Sequence, residues 1–249
     1  MQVFHSYNSR LSQAGEQHVD DIRAITMDLD DTLWEIHPVI RRAERSLYSW
    51  LGENYPRITS MFSRQAMQKL REDVVFEHPE QAHDFTFLRR TVIGRLGVAA
   101  GYEEDFVDDA MAVFDEVRND VEIFPEVRPA LEALRRNYKL IAVTNGMANL
   151  ETIGIHDLFH DLVSARTAGA AKPARQIFDA AVRAGGAAAH QTLHVGDHPE
   201  FDVIGAQEAG LRTVWVNRDG RDWPDELPRP DGIVSNVGEL RALLEAAGR

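Results

Sequence analysis

One stretch near the N-terminus limits what this chain can fold into: residues 24–33 read Ala-Ile-Thr-Met-Asp-Leu-Asp-Asp-Thr-Leu. It begins with apolar residues and ends with three carboxylates, those of Asp28, Asp30 and Asp31. An apolar run that leads into clustered acids is typical of a buried strand presenting charge at its C-terminal end. That end is where ligands bind in open α/β sheets. A surface turn with an acidic helix cap would give a similar short motif, so the interpretation depends on the rest of the chain.

The composition narrows the class of protein. The chain has 249 residues and a formal net charge of -13, with 40 acidic and 27 basic residues. Because nucleic-acid binding needs clustered Lys and Arg, this balance argues against a nucleic-acid partner. It permits a small phosphorylated metabolite, which needs only a local positive site, and clustered carboxylates favour divalent cations. The absence of cysteine excludes disulfides and thiolate catalysis.

The hydropathy pattern bears on location. No stretch of about 18 or more apolar residues is present, so we expect no membrane partner and no membrane span. The first 20 residues are polar and lack the apolar segment of a signal peptide. We therefore expect a cytoplasmic protein, either a monomer or a homodimer.

Three parts of the chain differ in pattern. Residues 1–20 form a polar leader with little periodicity. Residues 37–119 carry four successive segments with apolar residues at helical spacing, which predicts an antiparallel four-helix bundle. Residues 21–36 and 120–249 alternate strands with helices, which predicts an α/β core with a parallel sheet. The bundle is inserted directly after the first strand, so it should lie over the acids.

Other predicted strands and loops also end in polar groups. Thr144 and Asn145 follow a strand, Lys172 precedes a predicted helix that we expect Pro173 to begin, and Asp197 follows another strand, with Asp202 just beyond it. Each has an ordinary explanation: an Asn-Gly turn, a solvated lysine or a helix N-cap. Because the carboxyl ends of parallel strands share one edge of a sheet, the set as a whole predicts a common site.

In this order, the motifs resemble those of the haloacid dehalogenase superfamily of hydrolases. The resemblance covers residues 21–249 and rests on Asp28-Leu-Asp30-Asp31-Thr32, Thr144-Asn145, Lys172-Pro173, and Gly196-Asp197 with Asp202. It implies a Rossmann-like core, a helical C1 cap formed by the inserted bundle, and a Mg²⁺-dependent phosphatase.

The resemblance also implies roles for single residues. Asp28 would be the nucleophile that forms an aspartyl-phosphate, and Asp30 the acid that protonates the leaving alkoxide and then activates water. The phosphoryl oxygens would be bound by Thr144, Asn145 and Lys172. The Mg²⁺ ion would be held by Asp28, the backbone carbonyl of Asp30, Asp197, and Asp202 as a ligand or an outer support.

The second acid, Asp30, separates reactions within the superfamily. Dehalogenases resemble this fold but lack a general acid two residues after the nucleophile, because halide leaves without a proton. Asp30 therefore favours phosphate esters over carbon–halogen bonds. A phosphosugar or nucleotide phosphatase, a mutase and a non-catalytic binder of phosphorylated ligands remain alternatives.

The sequence also resembles a bacterial subgroup of this superfamily, which includes phosphatases of flavin mononucleotide and of 5-amino-6-(5-phospho-D-ribitylamino)uracil. It rests on residues 25–33, on His37-Pro-Val-Ile-Arg-Arg-Ala-Glu and on Leu193-His-Val-Gly-Asp. Six aromatic residues near the bundle are candidates to stack on such a ring, although a place in the bundle core explains most of them better: Trp34, Tyr48, Trp50, Phe62, Phe85 and Phe87. We also expect the two chain crossings between core and bundle, residues 34–37 and 119–124, to act as hinges.

Overall fold

The computed structural model describes residues 21–247, and the predicted polar leader, residues 1–20, lies outside them. Its centre is one parallel sheet with the strand order β3-β2-β1-β4-β5-β6. The strands are β1 (Ala24–Met27), β2 (Lys139–Thr144), β3 (Asp161–Ser164), β4 (Thr192–Gly196), β5 (Arg212–Val216) and β6 (Gly232–Val234). The predicted α/β fold with a parallel sheet is therefore confirmed.

Strand β1 lies in the middle of the sheet, and its register brings the motifs together. Met27 lies beside Ala142 of β2 and Val195 of β4. Asp28 comes one residue after Met27, and Thr144 and Asp197 come two residues after those partners. All three therefore lie where the strands end at their C-termini, along one side of the sheet, which we call the catalytic edge.

Between β1 and β2 the chain forms a helical unit, residues 36–119. Its helices are α1 (Ile36–Asn54), α2 (Pro56–Met61), α3 (Arg64–Glu77), α4 (Phe85–Ala99) and α5 (Val107–Asn119). The short α2, which the periodicity did not predict, begins at Pro56 directly after the end of α1. Helix α3 is capped by Ser63 and α4 by Asp84, whose side chains accept N–H groups of the first turn.

The apolar cluster of the helical unit is separate from that of the core. It is built around Leu51, Ile58, Phe106 and Phe114, and α1 packs along α5. Among the described residues, only Ile40 packs against both this cluster and the apolar cluster of the core. Two buried clusters with so little in common mark two packing units.

Helices cover both faces of the sheet. They are α6 (Val127–Leu134), α7 (Leu150–Ile153), α8 (Ala165–Ala168), α9 (Arg175–Gly185), α10 (Gly205–Glu208) and α11 (Leu240–Ala247). Along β2, Leu140 and Ala142 face the cluster that includes α6 and α11, whereas Ile141 and Val143 face the one that includes α9. This alternation is the period of two expected for a strand covered on both sides.

Local details differ from the sequence-based expectations. Strand β3 was not predicted, because its four residues form a short, partly polar edge strand. Pro173 does not begin the next helix: it follows a cis peptide bond, and α9 starts at Arg175. The helix predicted from Asp202 to Ala209 begins earlier, as a π-helical turn from Pro199 to Ile204 that continues into α10.

The two chain crossings run side by side. Trp34 and Ile123 form an isolated antiparallel bridge, and the Phe124 N–H donates to the Leu33 carbonyl at 3.0 Å. Among the helices in residues 21–247, none combines the length and the apolar character needed to cross a membrane.

Candidate active site

At the end of β1, a buried lysine lies between two buried carboxylates. Asp28 is 6% exposed and its N–H donates to the Val195 carbonyl at 2.9 Å, which extends the ladder with β4. Lys172, from the loop between α8 and α9, donates through Nζ to Asp28 Oδ1 and, at 2.6 Å, to Asp202 Oδ1. The structure thus brings together three of the residues that the sequence motifs singled out.

A chain of hydrogen bonds supports this lysine from within the core. His194 Nε2 lies 3.2 Å from Asp202 Oδ1, and its Nδ1 lies 2.8 Å from Thr26 Oγ1. Burial lowers the pKa of His194, although Asp202 opposes the shift, so the ring is neutral at pH 7. In the matching tautomer Nε2–H donates to Asp202 and Nδ1 accepts from Thr26. His194 was not predicted as a site residue; a histidine inside an otherwise apolar strand was the available signal.

The charges of the three groups depend on each other. Burial raises the pKa of Asp28 well above its usual value, and Lys172 offsets only part of that shift. Burial opposes the charge of Lys172, but the carboxylates of Asp202 and Asp28 raise its pKa above the usual range. Burial likewise opposes ionisation of Asp202, yet Lys172 and His194 outweigh it and lower the pKa of that carboxyl. Asp202 is therefore the permanent counter-ion of Lys172, so Asp28 is not needed to neutralise the lysine and can interact with a ligand.

Asp197 adds a third carboxylate beside Asp28. The Thr32 hydroxyl lies 3.4 Å from Asp28 Oδ2 and 3.3 Å from Asp197 Oδ1, so it bridges the two acids. Burial raises the pKa of Asp197 to about 7, and the negative charges of Asp202 and Asp31 add to that effect. The site thus holds more carboxyl groups than Lys172 alone can keep ionised.

This excess of carboxylate suits a divalent cation. Asp28, Asp197 and Asp202 each offer an oxygen, and the three oxygens lie within 4.8 Å of one another. Oxygen donors with negative charge are the ligands of Mg²⁺ and Ca²⁺. Gly196 lets the side chain of Asp202 lie close to the end of β4, because an added Cβ there would overlap that side chain. The residues present therefore fit a hard divalent ion.

Asp30, the second acid of the first motif, faces the helical unit. Its carboxylate accepts hydrogen bonds from Arg118 Nη2 at 2.9 and 2.8 Å and from Trp34 Nε1 at 2.9 Å. Arg118 lies near the end of α5 and is 1% exposed, and its Nη1 has no hydrogen-bond partner among the described residues. The predicted role of the Asp30 backbone carbonyl as a metal ligand stays a prediction. Arg118 was missed, because nothing in its local sequence shows which core residue it meets.

A glycine allows Asp30 and Thr144 to approach each other. A Cβ on Gly146 would lie 2.5 Å from Asp30 Oδ2 and 3.2 Å from Thr144 Oγ1. The Gly146 N–H donates to Thr144 Oγ1 at 2.8 Å. The hydroxyl of Thr144 therefore lies at the catalytic edge near Asp30, where the sequence placed it.

Asn145 fixes the loop that carries Lys172. Its Nδ2 donates to the Lys172 carbonyl at 3.0 Å, and its Oδ1 accepts the Lys172 N–H at 2.7 Å. Both polar ends of the side chain are used in this way. Its predicted contact with phosphate stays a prediction, and the contact that is present positions the lysine.

A cleft of about 790 Å³ opens beside this edge, between the helical unit and the core. Its walls include Asn145 and Gly146 from the core and Phe85 and Asp115 from the helical unit. Of the six aromatic candidates, Phe85 lines the cleft and Trp34 is fully buried beside Asp30. Three others pack against the apolar cluster of the helical unit: Trp50, Phe62 and Phe87. The remaining one, Tyr48, lines a different groove.

Comparison with known proteins establishes the family. A family model described as haloacid dehalogenase-like hydrolase matches residues 22–210. The chain belongs to this family of hydrolases, as the order of its motifs predicted.

The relatives bear on the reaction. The chain is 30% identical to the 5-amino-6-(5-phospho-D-ribitylamino)uracil phosphatase YigB of Escherichia coli, over 90% of this chain and 96% of that protein. It is also 30% identical to a glyceraldehyde 3-phosphate phosphatase of Methanopyrus kandleri, over 88% of this chain and 98% of that protein. These phosphatases support phosphoric monoester hydrolysis as the class of reaction.

A solved structure with a different description is also similar. A protein from Pseudomonas syringae pv. Tomato DC3000, described as a 2-haloacid dehalogenase, superposes with a TM-score of 0.85 at 36% identity. The match covers 90% of this chain and 99% of that one. The choice between phosphate esters and haloacids therefore rests on the site.

Proposed function

We propose that this protein is a Mg²⁺-dependent phosphatase that hydrolyses a small phosphomonoester through an aspartyl-phosphate on Asp28. The observation that carries the proposal is the buried Lys172 bonded to Asp28 and Asp202, with a second acid, Asp30, held separately beside Thr144. A nucleophile, a cation for phosphoryl oxygens and a proton carrier at one edge are the parts that phosphoryl transfer needs.

In the first step a carboxylate oxygen of Asp28 attacks phosphorus and the bond to the ester oxygen breaks. Lys172 offsets the repulsion between the carboxylate and the phosphate dianion, an effect strengthened by burial. The hydroxyl of Thr144 donates to a phosphoryl oxygen. A Mg²⁺ ion, held by Asp28, Asp197 and Asp202 as ligand or support, would supply further charge compensation when bound.

Asp30 moves the proton. It donates to the departing alkoxide, then takes a proton from the water that attacks phosphorus, which releases inorganic phosphate and restores Asp28. Arg118 and Trp34 donate hydrogen bonds to the Asp30 carboxylate and fix its direction.

A direct test uses p-nitrophenyl phosphate with the purified protein in Mg²⁺ or in EDTA. We expect turnover with Mg²⁺, its loss in EDTA and its return when Mg²⁺ is added back. Acid quenching during turnover should trap phosphate on Asp28, detected by mass spectrometry of the peptide. Equal rates in EDTA, or no turnover with Mg²⁺ for any ester, would contradict the proposal, and the second result would favour a non-catalytic binder.

The substrate class follows from the cleft and the relatives. We propose a small phosphorylated metabolite, with flavin mononucleotide and 5-amino-6-(5-phospho-D-ribitylamino)uracil as first candidates. The subgroup motifs and the YigB relative support them, and Phe85 offers a ring at the cleft wall. Phosphosugars and nucleotides are the alternatives. A panel of phosphate esters ranked by kcat/KM, with phosphoglycolate included, decides among them.

Dehalogenation is the second candidate, because the Pseudomonas syringae structure is described as a 2-haloacid dehalogenase. Asp30 argues against it, since halide needs no proton on leaving. Chloride release from 2-chloropropionate, measured beside phosphate release from the ester panel, separates the two. Chloride release in the absence of any phosphatase activity would overturn our assignment.

We further propose that the helical unit, residues 36–119, is a lid that opens for substrate and excludes water when closed. Support comes from the two adjacent chain crossings and from the nearly separate apolar clusters. Polar links, Arg118 to Asp30 and Asn149 N–H to the Asn119 amide oxygen at 2.8 Å, join the parts in this state. Such bonds can be exchanged for bonds to water when the unit moves. A pair of fluorescent probes, one on each part, should report a distance change on adding phosphate and Mg²⁺.

A further inference from the structure

The helical unit contains a second cavity that the catalytic scheme does not use. It has a volume of about 660 Å³ and lies between α1, α3 and α4. Its lining includes five arginines and a single acid, Glu44; the arginines are Arg41, Arg45, Arg64, Arg71 and Arg89. We call this cavity the arginine groove. Such a concentration of positive charge is unexpected in a chain whose net charge is -13.

The arginines of the groove form no ion pairs with the acids that the structure describes. Within residues 21–247, no ion pair joins any of the five to an acid, whereas two other arginines of α4 are paired. Arg90 lies 2.6 Å from Asp108, and Arg95 lies 2.6 Å from Glu77. The absence of partners is therefore a property of the groove and not of this helix.

Arg89 at the inner end of the groove is the least satisfied of the five. Its Nε is buried without a hydrogen-bond partner among the described residues, and its guanidinium lies 3.4 Å from the centre of the Phe114 ring. Burial, helped by the charge of Arg71, lowers the pKa of Arg89 to about 10. Arg89 remains charged at pH 7, and although the charges of Glu44 and Asp115 act on it, no acid forms an ion pair with it within residues 21–247.

The groove is distinct from the cleft at the catalytic edge. The two cavities share no lining residue, although Phe85 and Thr86 of α4 line the cleft, whereas Arg89 lines the groove. The groove also has apolar walls, formed by Leu47, Val92 and Ile93. A bare inorganic ion would leave these walls uncovered, whereas an organic molecule with several anionic groups would cover them and offset the arginines.

We propose that the arginine groove binds a small organic molecule that carries several phosphate or carboxylate groups. Guanidinium groups bind both kinds of anion through paired N–H donors, and several of them on one wall select for more than one negative charge. The occupant is either the far end of a large substrate or a separate regulatory metabolite, and both have this chemistry.

Calorimetric titration of the metal-free protein with citrate and with inorganic pyrophosphate tests the proposal. We expect binding of at least one of them to the wild type and a loss of at least about tenfold in affinity in Arg71→Gln/Arg89→Gln. The matched control is Arg90→Gln/Arg95→Gln, which removes the same amount of charge from α4, outside the groove, and should bind like the wild type. No binding to the wild type, or equal loss in the two double variants, would overturn the proposal.

A structural role of Arg89 would give a different result. We expect the melting temperature of Arg71→Gln/Arg89→Gln without added anion to equal or exceed that of the wild type, since unpaired positive charge is removed. If this variant unfolds, Arg64→Gln/Arg71→Gln is the substitute, because it leaves the buried Arg89 in place and removes two charges that are more accessible. It should still weaken anion binding. Unchanged anion binding in that variant would then contradict the proposal that the arginine groove is the binding site.

Kinetics distinguish the two sources of the anion. If the occupant is part of the substrate, kcat/KM of Arg71→Gln/Arg89→Gln falls for esters with a second phosphate or carboxylate and stays unchanged for p-nitrophenyl phosphate. Binding without such a difference assigns the groove to a separate metabolite. The titration requires no turnover, so its outcome is independent of whether the protein proves to be a phosphatase.

Discussion

The catalytic edge and the arginine groove are charged in opposite ways and are built differently. The edge gathers three carboxylates around one lysine; Asp28, Asp197 and Lys172 follow strand ends or lie in loops, and Asp202 lies in the π-helical turn after β4. The groove gathers five arginines around one glutamate, carried by the faces of helices. Each has charge that the surrounding described residues do not balance, so each is suited to a ligand of opposite sign: a cation at the edge and an anion in the groove.

The two regions also differ in whether their buried charged groups have hydrogen-bond partners. Asp202 accepts hydrogen bonds from Lys172, His194 and the His198 N–H, and these donors stabilise its ionised form. Arg89 lies against the face of Phe114, and its Nε has no hydrogen-bond partner in the described part of the chain. The side chains of the catalytic edge are oriented by hydrogen bonds to each other before a ligand binds, whereas the arginines of the groove gain their partners only on binding.

The largest expected effect tests the role of the edge as a reaction centre. Asp28→Asn should lower kcat by at least about 10³-fold, because the amide cannot form the phosphoryl intermediate. Asp31→Asn is the matched control: it changes one charge nearby, and Asn tolerates the positive φ of 60° and retains the acceptor for the Ile36 N–H. Similar losses in both variants, measured with p-nitrophenyl phosphate, would remove Asp28 as the nucleophile.

Lys172→Met should affect both activity and stability. It leaves Asp28 and Asp202 buried beside each other without their common cation, and loss of one partner of a buried pair costs about 3–5 kcal/mol. We expect that loss in urea unfolding, together with a fall in kcat of about 10²-fold or more. Lys139→Met, at an exposed residue of β2, is the control. A Lys172→Met protein as stable as the wild type would show that the lysine does not compensate these acids.

Arg118→Gln should have a smaller effect, of about tenfold on kcat with little change in KM, because Arg118 directs Asp30 without contacting the substrate in our proposal. Arg90→Gln, which breaks an exposed ion pair with Asp108, is the control. A kcat equal to that of the wild type would show that Arg118 does not position Asp30.

The smallest effect concerns Asp115, which lies in the cleft wall and whose buried Oδ1 has no hydrogen-bond partner within residues 21–247. Burial raises its pKa, although Arg89 and Arg118 oppose the shift. The folded state therefore binds this proton more tightly than the unfolded state, and ionisation at neutral pH costs stability. Asp115→Asn should raise the melting temperature at pH 7 by about 1–2 °C.

That gain should shrink as the pH falls through the raised pKa of the folded state, and vanish below the ordinary pKa of aspartate, where both states are protonated. Melting curves of wild type and variant from pH 7 to pH 3 measure the difference. A gain that is constant over this range would mean that ionisation of Asp115 is not its source.

Sequence patterns predicted the edge well because its residues follow strands. The apolar run ahead of Asp28 and the hydrophobic strands ahead of Thr144 and Asp197 define a parallel sheet, and a parallel sheet sets one edge for all its strand ends. The family and the fold class followed from this order. Strand β3 was missed, since four partly polar residues carry little periodic signal.

Contacts made by chain segments far apart in sequence could not be predicted in the same way. Arg118 meets Asp30 across 88 positions of sequence, and His194 meets Thr26 across 168. Helical periodicity shows which face of α4 is apolar, but it does not show that α1 and α3 bring their own arginines to Arg89. Such contacts depend on how helices pack, and many packing arrangements satisfy the same pattern.

The nearly independent apolar cluster of the helical unit has an evolutionary consequence. Since the unit joins the core through two neighbouring chain crossings, paired at Trp34 and Ile123, a different bundle could be grafted between the same two points. Such an exchange would leave Asp28, Lys172 and Asp197 in place but remove Arg118, so a grafted bundle needs its own group at Asp30 to keep the full rate. New specificities in this lineage can therefore arise by recombination at the junctions, with the contact to Asp30 as the part that each new bundle must rebuild.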